Sequence, residues 1–516
     1  MTPTISELPI IVIGAGPTGL AAAAHLLDKG VTPLVLEAGD RVGANVLSWA
    51  HVRMFSPWEF NVDRVAARML EATGWAKPPA SEYPTGGELV RNYLEPLAAL
   101  PELRPHVRLG ARVTGTSRLG LDRLKTAGRE STAFVLHVTT PAGHERLLAR
   151  AVIDASGTVG SANPLGGDGL PAMGERALAD RVYYGIPDVL GAQRARYAGR
   201  RTLVVGSGHS AFTVLLDLVA LADQAPGTRV FWVIRRRGLG SLFGGGGADA
   251  LPERGRLGHR LRALVESGRL VLFQGFSLER LTRTEEGIVA TSGGQVLPAV
   301  DEVVAATGFR PDLGMLRELR LAIDPIVECP AALAPVIDPN IHSCGTVPPH
   351  GEDVLRQPEP GFYLAGMKSY GRAPNFLMLT GYEQVRSIAC ALAGDTEGAR
   401  TIELTLPATG VCSTQAVSSE SVQGATLKTG ASCCGGPAPA HLDACCVLDA
   451  EAKASGQDGC GCGSTGAKTT DPGLAATGCI PPAAEVDTSV RARPVVHQIA
   501  PLGALSGGRS AGPCCG

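Results

Sequence analysis

Residues able to cradle a diphosphate occur twice in this chain. The first set is Gly14-Ala15-Gly16-Pro17-Thr18-Gly19, after the apolar run Ile11-Val12-Ile13. The second is Gly206-Ser207-Gly208-His209-Ser210-Ala211, after Leu203-Val204-Val205. Each set joins a strand-like run to a helix-like run, the context in which G-x-G-x-x-G/A marks a dinucleotide site. The first glycine makes the turn, the second admits the pyrophosphate, and the third lets the helix pack on the strand. The helix N-terminus offers unpaired N–H groups and partial positive charge to the phosphates. Two such units predict two dinucleotides, with electrons passing between them.

The residue ending the next strand separates the two sites. After Leu34-Val35-Leu36 comes Glu37, placed to hold an adenosine ribose through its hydroxyls. After Val230-Phe231-Trp232-Val233-Ile234 come Arg235-Arg236-Arg237. An acid repels a 2′-phosphate, whereas arginine binds one through a planar fork of donors. FAD is therefore expected on Gly14, Gly16, Gly19 and Glu37. NADP(H) is expected on Gly206, Gly208, Ser210, Arg235 and Arg236. The competing reading of the arginines is a solvated strand end.

The elements that must position these turns are legible in outline. The first nucleotide unit is expected over 1–160, with further strands at Phe134–Val138 and Ala151–Ala155. A Pro/Gly-rich linker, Asn163 to Gly167, leads into a second unit over 161–300. The first unit is expected to resume over 301–394. The expected fold is α/β, two Rossmann-like domains with the NADP domain inserted in the FAD domain. Residues 395–516 read as a flexible Cys/Gly-rich tail.

The 516 residues are 44% hydrophobic and 19% charged, with a formal net charge of −2. That balance gives no reason to expect a nucleic-acid partner or a polybasic membrane surface. No apolar run reaches the roughly 18 residues that span a bilayer. The start lacks signal-peptide character, so the cytoplasm is the expected location.

Residues 9–394 resemble the two-dinucleotide flavoproteins, in particular the flavin-containing monooxygenase group. The resemblance rests on GAGPTG at Gly14–Gly19, GSGHSA at Gly206–Ala211, ATGFRPD at Ala306–Asp312 and GFYLAGM at Gly361–Met367. Tyr83-Pro84 ahead of Glu88-Leu89-Val90 is similar as well. The resemblance implies FAD at the first motif, NADPH at the second, contributions from Gly308 and Gly366, and a helix N-terminus beside the flavin ring. The chain departs from the group by lacking the F-x-G-x-x-x-H stretch before the second motif. It departs from related disulfide reductases by having no cysteine before Cys329, and by Met367-Lys368 where an acid usually follows.

Ser56, Trp58 and Asn61, in Met54–Asn61, are candidates for contacting the flavin or its oxygen adduct. Ordinary core is the other reading of Trp58 and Phe60. Ser369–Asn375 is expected to lie over the flavin, with Asn375 capping the next helix and its dipole favouring negative charge on a reduced ring. Gly244–Gly247 reads as a mobile lid over NADPH.

Ten of the 13 cysteines follow Val411. Cys433-Cys434, Cys445-Cys446 and Cys514-Cys515 are adjacent, and Cys460 and Cys462 are one residue apart. Adjacent Cα atoms lie about 3.8 Å apart, short of the roughly 4.4–6.8 Å of disulfides. Soft thiolates select thiophilic ions, so these eight cysteines are candidate ligands of trivalent arsenic or mercury. Accidental low complexity is the alternative. The terminal pair resembles that of mercuric reductases, and the whole resembles flavoproteins of bacterial arsenic-resistance operons. The expected activity is NADPH-dependent oxidation, with molecular oxygen, of a soft centre (trivalent arsenic, sulfur or an amine). Alternatives are a flavin-dependent metal(loid) reductase or oxidase fed by the tail, and a thiol-based metalloid binder or sensor.

Overall fold

Ile10–Ile13 is apolar at every position and buried at every position. A strand with no polar face must be covered on both sides, which favours a parallel sheet between layers of helix. This computed structural model, which describes residues 4–238, 252–339 and 347–404, shows that arrangement. The first sheet is parallel, in the order Phe362–Leu364, Ala151–Asp154, Ile10–Ile13, Pro33–Leu36, Val107–Arg108. Ile10 stands opposite both Pro33 and Ala151.

The second sheet repeats the plan: Val271–Gln274, Arg229–Ile234, Arg201–Val205, Glu302–Ala305, Val182–Tyr184, again parallel. Glu302–Ala305 pairs with Arg201–Val205, so this strand belongs to the second sheet and not to the resumed first unit expected from residue 301. An apolar strand carries no mark of which sheet it will join. The first sheet regains the chain only at Phe362–Leu364, which pairs with Ala151–Asp154.

Two antiparallel sheets went unread in the sequence. Arg112–Arg118, Phe134–Thr140 and Gly143–Ala149 form one; Arg280–Thr284, Gly287–Ser292 and Gln295–Val296 form the other. Beside the first, Glu359 lies fully buried between Arg118, at the end of its first strand (2.8 Å), and Arg129, in the connection that follows (2.7 Å). Burial alone would raise its pKa, but hydrogen bonds from the two arginines hold the carboxyl below its ordinary value.

A helix follows each glycine turn. Pro17–Asp28 starts with proline at its first position, where no N–H is needed. Ala21 to Ala24 are fully buried, and their small side chains let the helix lie close to its neighbours. His209–Gln224 follows the second turn, with Ala211, Val214, Leu215 and Leu218 in its core. All described residues fall in one compact unit. Among them no helix is long and apolar enough to cross a membrane.

Candidate functional site

The two glycine turns are built alike. Gly14 (φ +100°) and Gly206 (φ +138°) hold left-handed backbone against the neighbouring strand end. A Cβ on Gly14 would stand 2.9 Å from the Ala155 carbonyl oxygen; one on Gly206, 2.3 Å from that of Ala306. Gly16 and Gly208 are the N-caps of the two helices, and nothing lies within 4 Å of where their Cβ atoms would be. That open space beside a helix N-terminus fits a diphosphate. Gly19 has another role, since a Cβ there would reach within 1.9 Å of the Gly14 oxygen.

Around the first turn the charges are folded inward. Glu37 accepts the Ala15 N–H and the Gly39 N–H, both at 2.8 Å, so it braces the turn at the place where a ribose would sit. Lys368 is 1% exposed, and its ammonium donates to Asp154 at 2.7 Å and to the Ser156 hydroxyl at 3.0 Å. Ser156 also packs against Gly14. Gly366 (φ +66°) abuts Thr18 on the first helical turn, and its N–H donates to Gln384. Gln384 in turn meets His350 Nε2 at 2.9 Å. Burial holds the His350 pKa down. A neutral ring donating from Nδ1 to the Pro348 carbonyl and accepting at Nε2 satisfies every group present.

The second turn faces outward. Arg235 and Arg236 are exposed, and Arg235 donates to the Gly167 carbonyl at 2.9 Å. Ser210 is half-buried on the first turn of its helix. The ring of His209, also on that turn, lies 5.5 Å from that of Phe55 at a tilt of 44°, and Phe55 belongs to a loop within the first nucleotide unit. This contact sets the second glycine turn against Met54–Asn61. Gly308 (φ +83°) lies in the returning connection, where its carbonyl accepts the Asn163 N–H.

Two expectations need correction. Asn61 is fully buried, and its amide is spent within its own loop on the carbonyls of Ser56 and Pro57 and the hydroxyl of Ser56. Ser56 is 9% exposed and Trp58 is 3% exposed. A tight loop must satisfy its own backbone, so these residues shape it, and Asn61 offers no surface to a flavin. Asn375 does not cap the helix Met378–Leu392. The N-cap is Leu377, and the Asn375 amide donates to the Ile337 carbonyl instead. Asn375 stands three positions before the first helical residue, too far for capping.

Gly244–Gly247 and the tail cysteines Cys433, Cys434, Cys445, Cys446, Cys460, Cys462, Cys514 and Cys515 lie outside the described residues. Cys329 and Cys390 are described, and both are buried. Burial pushes the Cys329 thiol up to about 12, far from the thiolate needed for redox chemistry.

Sequence reasoning missed the Lys368–Asp154 pair and the Phe55–His209 contact. The charge of Lys368, two residues after an alanine-glycine pair, was visible; its partner, 214 residues away, was not.

Comparison with known proteins fits this geometry. The family model for pyridine nucleotide-disulphide oxidoreductases matches residues 11–339, more than half of the chain. The chain belongs to that family. It is a flavin-dependent oxidoreductase of pyridine nucleotides. Among curated relatives, the indole-3-pyruvate monooxygenase YUCCA1 of Oryza sativa subsp. japonica is 30% identical over 40% of this chain and 44% of its own length. The chain thus spans less than half of that relative. The ferredoxin–NADP reductase of Salinispora arenicola is 28% identical over 62% of this chain and 79% of its own. The bacillithiol disulfide reductase of Bacillus cereus shares the fold, with a TM-score of 0.54 at 22% identity over 75% of this chain and 99% of its own.

Proposed function

We propose that this oxidoreductase binds FAD at the first turn and NADPH at the second, and with molecular oxygen oxidises a soft centre: trivalent arsenic, sulfur or an amine. The carrying observation is the Phe55–His209 contact, which brings the NADPH-side turn to the loop flanking the flavin-side turn with no cysteine of that region between them. A disulfide reductase needs a thiol pair beside its flavin. Here the chain has no cysteine before Cys329. Two relatives point in different directions, one a monooxygenase by name and one a ferredoxin reductase. The missing dithiol fits either, and the thiol-rich tail favours a soft, thiophilic substrate.

A bound flavin supplies hydride acceptance and onward electron transfer. The chain supplies placement. Gly16 and Gly208 leave room for the diphosphates, and the two helix N-termini offset their charge. Lys368 and Asp154 keep a fixed, dry charge pair behind the first turn. Arg235 and Arg236 stand where a 2′-phosphate is expected. The tail cysteines are proposed to capture the thiophilic ion, with Cys514-Cys515 presenting it.

Oxygen uptake with NADPH, measured with and without arsenite, tests this reading. Arsenite-stimulated uptake, with arsenite consumed in step, supports it. NADPH oxidation that reduces a ferredoxin and ignores arsenite, sulfides and amines sinks it. Truncation sharpens the role of the tail. The cut belongs after Leu404, because Asp395 pairs with Lys29 (2.8 Å), and Glu403 pairs with both Arg64 and Arg386. The shortened chain should keep flavin and NADPH oxidation and lose stoichiometric arsenite binding. Arsenite binding equal to that of the full chain would show the tail cysteines to be bystanders.

A further inference from the structure

Among the described residues, Glu328 is the one non-glycine residue with positive φ, at +61°. Left-handed backbone is uncommon for a residue with a Cβ, and it persists where the surroundings over-determine it. Three contacts do so here. The Val327 carbonyl accepts the Arg372 N–H at 2.7 Å. Gly371 (φ +58°) comes so close that a Cβ there would stand 2.1 Å from the Val327 oxygen. The Glu328 carboxylate sits between two guanidinium groups, Arg310 at 3.5 Å and Arg372 at 4.0 Å.

Each partner leads somewhere. Arg310 donates from Nε to the Asn163 side chain at 2.9 Å and from its backbone to the Ser161 carbonyl. Those residues lie on the two connections joining the first sheet to the second, which run side by side through the Ala162–Phe309 bridge. Arg372 and Gly371 end the segment that begins at Gly366, beside Thr18, and carries Lys368 to Asp154. One carboxylate thus spans the gap between the paired connections and the segment against the first glycine turn.

We propose that Glu328 is a positioning residue. It fixes residues 366–372 relative to the connections that carry the second domain, so that the setting of that domain is felt at the flavin. The inference rests on the reading that the first turn holds FAD. A turn that only closes the chain would need neither the charge nor the two arginines, since the backbone bonds of Asp324 with Glu328 and Cys329 already close it.

The test uses the full chain with three single variants and one double. Glu328→Gly keeps the left-handed turn and removes the carboxylate; Glu328→Gln keeps the size and removes the charge; Arg310→Gln removes one partner, alone and combined with Glu328→Gln. Both Glu328 variants should alter the visible circular dichroism of bound flavin. Both should slow its reduction by NADPH about three- to tenfold, with KM for NADPH little changed, as expected of a coupling residue. The double variant should be no slower than the worse single one. Glu328→Gly should melt no lower than the parent, because glycine accepts the turn without strain. In the flavin-free chain, amides of 366–372 should exchange faster in both Glu328 variants. Unchanged exchange there, or an unaltered flavin signal and reduction rate in both, overturns the proposal. A parent chain that never takes up flavin overturns the FAD reading instead, and the exchange result still decides the role of Glu328.

Discussion

The two glycine turns share a backbone plan and differ in where they put charge. At the first, Glu37 is bonded into the turn and Lys368 and Asp154 are sealed beneath it. Behind its helix, His25 and Asp63 form another buried pair at 3.0 Å. At the second, the arginines ending the neighbouring strand reach into solvent. Buried, satisfied charge makes a rigid site that costs much to disturb. Exposed cations attract a charged ligand and let it leave. The contrast suits a resident nucleotide at the first turn and an exchanging one at the second.

Six variants would break or sharpen that contrast. The largest effect is expected for Gly16→Val. No protein atom lies near its Cβ position, so the chain should fold and yet lose nearly all its flavin, read as the flavin-to-protein absorbance ratio. Full flavin content in this variant would move FAD away from the first turn. Gly208→Val should leave flavin in place and abolish NADPH-driven reduction.

Lys368→Ala comes next. It leaves Asp154 buried without its partner, and breaking such a pair costs about 3–5 kcal/mol. Denaturant unfolding should show that loss. A change below about 1 kcal/mol would mean that the pair behaves like a surface one.

Replacing Arg235 and Arg236 together with alanine should act on binding alone. Each charge-assisted contact to phosphate is worth about 1.5–3 kcal/mol. KM for NADPH should therefore rise at least about tenfold, with use of NADH and melting temperature little changed. Equal use of the two nucleotides by the parent would remove the basis for this role.

The smallest effect concerns pH. Burial pushes the Asp217 carboxyl, on the second helix, up to about 6, with Arg260 pulling it partly back. A raised carboxyl pKa stabilises the fold below the unfolded value of about 3.9, and that contribution is lost as pH rises through 6. Asp217→Asn should thus match the parent at pH 4 and melt higher at pH 7.5. Asp63 has the opposite sign. Desolvation raises its pKa, yet the His25 charge and hydrogen bonds outweigh that and hold it low. Its contribution is present above about pH 3.9 and fades as pH falls through the depressed value. Asp63→Asn should therefore be destabilising at pH 7 and least so in acid. Parallel pH profiles for the two variants would erase the distinction between the halves.

Sequence determined the local chemistry. Gly14, Gly16, Gly19, Gly206 and Gly208 were legible because a tight turn, a close approach and a helix start each demand a residue type at a fixed spacing. The parallel sheets followed from unbroken apolar strands such as Ile10–Ile13. The charge contrast was legible too, as Glu37 against Arg235–Arg237. Tertiary structure decided everything that depends on residues distant in the chain. It assigned Glu302–Ala305 to the second sheet, sealed Lys368 onto Asp154, set Phe55 against His209 and turned Asn61 into its own loop. It also gave Glu328 a left-handed backbone that no local pattern announces. Spacing along a chain fixes what a segment is able to do alone; burial, ion pairing and strain belong to whichever neighbours folding brings within a few ångströms.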